Sequence, residues 1–457
     1  MRSRRLFSLV GSAALLASMT GMSAVAVVSS SASTAAEVTP MLRMASGHFK
    51  AAPTTAECVE DIGLACYSPN QMQAAYDMAP LYAKGLTGKG KTIVLVDSFG
   101  SPTIKHNLAT FDAAFNLPAP PKFSIIQPAG KVPAFDPNDS SMVGWAEETS
   151  LDVEYSHAMA PGANILLVET PVAETEGLVG IPQIVKAENY VINHHLGDVI
   201  SQSFGATENT FPSNKSIFGQ RSAFTNAAAH HVTVLASSGD AGTTDEKNAA
   251  GTLLYTHKVN SWPSSDPLVT SVGGSQLHLN SGGARTLPDN VWNDTNVLGS
   301  PAAGGGGVSS VFGRPAYQNS VKGVVGSHRA TPDVALSAAV DGAALVYLGS
   351  WAQPAGFYLI GGTSEASPLF SGIVAVADQA AGHDLGQLNP TLYALAAHHA
   401  AGLSDITIGN NGVTFVQNSR TYTVGGYAAV PGYDMASGLG TVDGSQLVSE
   451  LAGGGAS

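Results

Sequence analysis

The chain has 457 residues and a formal charge of −13, from 34 acidic against 21 basic side chains. Only 12% of its residues are charged while 44% are hydrophobic, a balance that excludes intrinsic disorder. The acidic excess also excludes the electrostatic footprint of a nucleic-acid binder, and the length leaves room for a large core.

In chain order, Arg2, Arg4 and Arg5 precede an uncharged apolar stretch over 6–28 and a Ser/Ala-rich segment over 29–36. That is the layout of a cleaved secretory signal, and Ser3-Arg4-Arg5-Leu6-Phe7 has the form of a twin-arginine export motif. The apolar stretch is long enough to span a bilayer, so an uncleaved anchor is the competing reading. Ala, Ser and Gly dilute it, which favours removal of residues 1–36, and the remainder is expected to be secreted, soluble, extracellular and free of the membrane. Residues 37–66 read as a short irregular lead-in. It holds the two cysteines, Cys58 and Cys66, and export permits a disulfide between them as a local staple. With no histidine cluster nearby they make a poor metal site.

From Tyr67 to Leu451 one continuous globular pattern follows. Thr92–Val96, Ile165–Val168, Val199–Ser203 and Val232–Ala236 read as buried strands, and Trp145–Met159, Ile181–Asn193 and Ser222–Ala229 as helices. This alternation predicts an α/β fold, a mainly parallel central sheet with helices on both faces. Gly304–Gly307 reads as a flexible loop and 452–457 as a flexible tail.

Three motifs carry chemistry. Gly361-Gly362-Thr363-Ser364-Glu365-Ala366-Ser367-Pro368 opens a helix running towards Ala381, so Ser364 sits among free N–H groups able to bind an oxyanion. Taken alone, Gly-Thr-Ser before a helix is more often an N-cap, and a nucleophilic serine needs a base. None of the 13 histidines lies in a setting suited to that role, and His157, His230 and His231 read as surface or helix-end residues. On the helix from Trp145, Glu148 and Asp152 stand four apart and share one face, whereas Glu147 points well round the cylinder. On a surface these would be two solvated carboxylates, but buried together they would share a proton. The third motif, Leu235-Ala-Ser-Ser-Gly-Asp240-Ala-Gly242, places Asp240 just past a strand in a glycine turn, where Asp is commonly a turn former.

In this order the motifs resemble the sedolisins, the serine-carboxyl peptidases related to subtilisin. Val96-Asp97-Ser98 is similar to the subtilisin Asp motif, and Met159-Ala-Pro-Gly-Ala-Asn-Ile165 to the segment after its catalytic histidine. Ser201–Gly205 through Glu208, Val272–Gly274, Gly307–Ser310 through Pro315, Pro332–Val334 and Leu388–Tyr393 extend the likeness over about Tyr67 to Asp443. The resemblance implies a subtilisin-like fold and an acid-acting endopeptidase in which Ser364 attacks peptide bonds. Glu148 would be general base and acid, Asp152 its support, and Asp240 an oxyanion-hole donor. It also implies one structural Ca2+ held by Asp405, Asp434 and the carbonyls of Ile406, Val430 and Gly432, in segments otherwise read as Asp-containing turns. The family typically carries a large folded prodomain. Only about thirty residues separate the expected signal cleavage from Tyr67, so that prodomain is expected to be absent. Partners are protein or peptide substrates, with no nucleic acid, and a monomer is expected. Two alternatives stay open, a tripeptidyl exopeptidase of the same family and an inactive binding protein on the same scaffold.

Overall fold

An eight-stranded sheet forms the spine of the molecule. In sheet order its strands are Asn290–Val291, Thr270–Gln276, Thr233–Ser237, Val199–Gln202, Thr92–Ser98, Asn164–Thr170 and Phe123–Ile126, with Val334–Ser337 also paired to Thr270–Gln276. All neighbours run parallel except the edge strand Asn290–Val291. Thr92–Ser98 shows why: Ile93 and Leu95 face one hydrophobic core and Val94 and Val96 the other, so both faces are covered. This computed structural model describes residues 43–45 and 47–453. The expected signal over 1–36 lies outside the described residues, as do 454–457. Among the described residues no helix is long and apolar enough to cross a membrane.

Two helices cross one face of the sheet and position the chemistry. Ser140–Met159 starts on Asp139, whose carboxylate accepts the N–H groups of Ser141 and Met142. From Glu148 to Met159 every residue is buried, the mark of a helix enclosed by core rather than lying on a surface. The second helix, Thr363–Ala381, packs close against it through small residues. Ser156 Oγ and Ser371 Oγ are 3.0 Å apart, and a Cβ on Gly372 would come within 2.4 Å of the Met159 Cβ. His157, expected at a surface or helix end, is in the last turn but buried, its Nε2 2.7 Å from the Pro118 carbonyl and 3.3 Å from Asp112.

The lead-in is more regular than its composition suggests. Arg43–Met44 pairs antiparallel with Gly356–Gly361, Cys66–Tyr67 pairs parallel with Ala343–Leu348, and the helix Thr55–Asp61 lies between them with a Thr54/Glu57 capping box. Cys58 and Cys66 are joined as a disulfide. The lead-in thus flanks both sides of the hairpin that leads into Ser364. Pairing partners some three hundred residues away order it, which local composition cannot reveal. At the other end, the helix Gly444–Gly453 continues into the segment expected to be loose tail.

Candidate active site

Ser364 sits at the second position of its helix, which is entered through Gly362 at φ 116°. Only glycine adopts that conformation without strain. The Ser364 N–H therefore belongs to the first helical turn, where no intrahelical acceptor exists. Pro368, four residues on, has no N–H to offer the Ser364 carbonyl. The hydroxyl is buried, and its Oγ lies 3.5 Å from the Ser203 carbonyl.

Asp240 follows the C-terminal end of Thr233–Ser237 and meets the same turn. One of its oxygens, Oδ1, accepts the Thr363 N–H at 2.7 Å and the Thr363 hydroxyl at 2.8 Å. Its Oδ2 is buried without a partner. Burial pushes this carboxyl up to about 7, against the opposing charge of Arg43 and the two Thr363 bonds. Below neutral pH it is therefore a carboxylic acid with a proton to donate.

Glu148 and Asp152 are fully buried, one helical turn apart, on the face turned towards Ser364. Asp152 Oδ1 accepts the Ser203 hydroxyl at 2.7 Å, and its Oδ2 has no conventional partner. Burial raises both proton affinities well above the carboxylate range. The charges of Asp97 and Asp240 add to that for Glu148, and those of Asp97 and Glu148 for Asp152, while the Ser364 and Ser203 hydroxyls pull Glu148 the other way. The two acids therefore cannot both ionise cheaply and hold at least one proton between them. Glu147 faces elsewhere, its charge acting on Tyr358.

Two residues of this site escaped the sequence reading as participants. Ser203 touches Asp152 through its hydroxyl and Ser364 through its carbonyl. Asp97 lies buried beside Thr149 and Asp152, pushed up to about 7 by burial. Both stand just at or past strand ends and inside stretches already matched to the family, Val96-Asp97-Ser98 and Ser201–Gly205, and those are the signals that could have placed them. Gly304–Gly307, expected to be flexible, is instead buried. A Cβ on Gly305 would lie 2.1 Å from the Ser238 carbonyl and one on Gly306 2.2 Å from that of Met435. Gly305 thus packs against the backbone leading into Asp240, Gly306 against Met435 and Pro332, and Gly304 against Gly274. Other matched motifs form internal braces. Glu208 accepts the Ser309 and Ser310 hydroxyls at 2.5 and 2.8 Å, and buried Asp333 pairs with Arg329 at 2.5 Å and with the Tyr393 hydroxyl at 2.9 Å.

The calcium expectation falls on Ser404–Ile408 and Val430–Asp434, which the structure brings together. Asp405 accepts the Gly432 N–H at 2.8 Å, and Asp434 accepts the Val430 N–H at 3.0 Å. Burial and the nearby charge of Asp434 both raise Asp405. Among the described residues no group of three or more His, Cys, Asp or Glu is poised for a metal. Asp434 Oδ1 also accepts the N–H groups of Ala436 and Ser437 at 2.9 Å and the Ser437 hydroxyl at 3.1 Å. The two carboxylates nonetheless offer oxygen-only donors of the kind that suits a hard cation.

The sequence profile of the subtilase family matches residues 129–418. The chain is similar to kumamolisin of Bacillus sp. (strain MN-32), 33% identical over 417 residues, covering 90% of this chain and 67% of that protein. It is similar to sedolisin of Pseudomonas sp. (strain 101), 32% identical over 265 residues, covering 58% of this chain and 42% of that protein. Among solved structures it is similar to Pseudomonas sedolisin, a serine-carboxyl proteinase complexed with two molecules of pseudo-iodotyrostatin. There the TM-score is 0.71 at 26% identity, over 85% of this chain and 98% of that one. The chain thus spans about two thirds of the first relative's length and less than half of the second's.

Proposed function

The chain is a member of the sedolisin family of serine-carboxyl peptidases, within the subtilases, and from that premise we propose that it is a secreted endopeptidase acting in acid on proteins or peptides. The observation that carries this reading is the buried constellation of Ser364, Glu148, Asp152 and Asp240, in which the candidate base is a carboxyl rather than a histidine. Ser364 Oγ attacks the scissile carbonyl carbon as Glu148 takes its proton. Asp152, holding the proton of the pair, donates it towards Glu148 and fixes its orientation. The negative charge forming on the carbonyl oxygen is met by the Ser364 N–H and by the protonated Oδ2 of Asp240. Glu148 then returns its proton to the leaving amine, and a water repeats the sequence in reverse to release the acyl group from Ser364. A carboxyl base and a carboxyl oxyanion donor work together only in acid, where histidine would already be charged.

A fluorophosphonate label and a pH–rate profile on a denatured protein substrate test this, with the products sequenced. The expected result is labelling that Ser364→Ala abolishes, together with activity well below neutral pH and new termini within the substrate. An activity maximum near pH 8, or full turnover by the alanine variant, overturns the mechanism. Tripeptides released only from free N-termini would instead make it an exopeptidase.

Asp405, Asp434 and the carbonyls of Ile406, Val430 and Gly432 would hold one Ca2+, which when bound neutralises the two carboxylates and clamps their loops. Chelation should lower the melting temperature by several degrees, and added Ca2+ should restore it. An unchanged melting curve removes the metal from this account.

A further inference from the structure

Asp97 has a neighbour that the mechanism above leaves unused. In the parallel pairing of Thr92–Ser98 with Asn164–Thr170, Asp97 stands opposite Glu169, and both side chains lie on the face crossed by the helix carrying Glu148 and Asp152. Parallel partners in register project to the same side of a sheet. Asp97 is wholly buried, and Glu169 is 7% exposed, its Oε2 accepting the amide of exposed Gln127 at 2.8 Å. The turn after Asp97 closes over Glu169. Gly100 sits at φ 77°, and a Cβ there would come within 2.2 Å of Glu169 Oε1, so only glycine lets the backbone lie so close.

The groups acting on these two acids are few. Asp97 meets the Thr149 hydroxyl, the Asp152 carboxyl and the charge of Glu169, and Glu169 meets Gln127. No Lys, Arg or His is among them. From this placement, and resting on the peptidase reading above, we infer that Glu169 is a positioning residue. It is the outermost of a line of four carboxyls, Glu148, Asp152, Asp97 and Glu169, and its charge decides which way the Asp152 proton points.

Protonated Asp152 has a single proton to donate, and because its Oδ1 accepts from Ser203 that proton sits on Oδ2. While Asp97 is protonated, that proton is free to face Glu148. Once Asp97 ionises it becomes the stronger acceptor, draws the Asp152 proton to itself, and leaves Glu148 unsupported. A negative Glu169 beside Asp97 opposes that ionisation. The outer carboxyl therefore extends the working range of the inner pair towards higher pH.

The test is Glu169→Gln, with kcat and KM measured across pH and fluorophosphonate labelling of Ser364 measured in parallel. KM should stay within about twofold, while the alkaline limb of kcat moves about half a pH unit towards acid, which is about threefold in rate at a fixed pH on that limb. In an Asp97→Asn background the same exchange should shift nothing, since its effect runs through Asp97. Superimposable profiles, a uniform loss of rate at every pH, or a shift that persists in the Asp97→Asn background would each overturn the inference. A parent enzyme that is not labelled at Ser364 overturns the peptidase reading itself, and this inference with it. A labelled parent with an unmoved limb overturns only the role of Glu169.

Discussion

Replacing Glu148 by Gln should lower kcat/KM by about 10³- to 10⁴-fold, whereas Glu147→Gln should leave it within about threefold. The two positions are adjacent in sequence, so the contrast isolates geometry from composition. An amide in place of the Glu148 carboxyl would keep the shape of the side chain but could neither take the Ser364 proton nor return it to the leaving amine. Glu148 is fully buried, with the Ser364 and Ser203 hydroxyls acting on its carboxyl. Glu147 points towards Tyr358, and burial pushes it up to about 8. In acid it is already neutral, so an amide in its place changes little. Both variants should be compared at the acid maximum of the parent, with melting temperatures as a control for folding. A Glu148→Gln enzyme retaining about a tenth of the parent rate would remove Glu148 as the base.

Much of this site is legible from sequence because its parts are local patterns. Two carboxyls at helical spacing, a serine after glycines at a helix start, and an acid in a glycine turn past a strand are each written within a few residues. What joins them is not. Ser203 belongs to the site because Val199–Gln202 delivers it beside Asp152, more than fifty positions away. Asp97 faces the same acid only because Thr92–Ser98 runs beneath the helix Ser140–Met159. Composition misled at Gly304–Gly307, where absent side chains serve dense packing rather than motion. It misled again in the lead-in, whose strands exist only against the hairpin Ala343–Leu348 and Gly356–Gly361. Sheet neighbours and close approaches are properties of the whole chain, and a window of residues does not hold them.

The melting temperature should be highest in acid and fall as pH rises from about 4 to about 8. Several buried acids drive this. Burial pushes Glu365, Glu174 and Glu188 each up to about 8, and Asp97 up to about 7. Glu365, directly after Ser364, is fully buried, and the Ser337 hydroxyl and Ala344 N–H only partly offset the effect of burial on its carboxyl. An unfolded chain releases these protons near pH 4, so over this window the folded state binds more of them, and stability falls as pH rises. A group shifted by about three units corresponds to about 4 kcal/mol, a large part of the roughly 5–15 kcal/mol that holds a domain folded. Charge repulsion works the other way in acid, but with only 21 Lys and Arg and 13 His among 457 residues it has little to act on. Glu365→Gln gives a single-residue check: it should raise the melting temperature at pH 8 relative to the parent and leave it nearly unchanged at pH 4. A parent that melts higher at pH 8 than at pH 4 would contradict the account, because buried carboxyls that must ionise can only weaken the fold as protons are withdrawn.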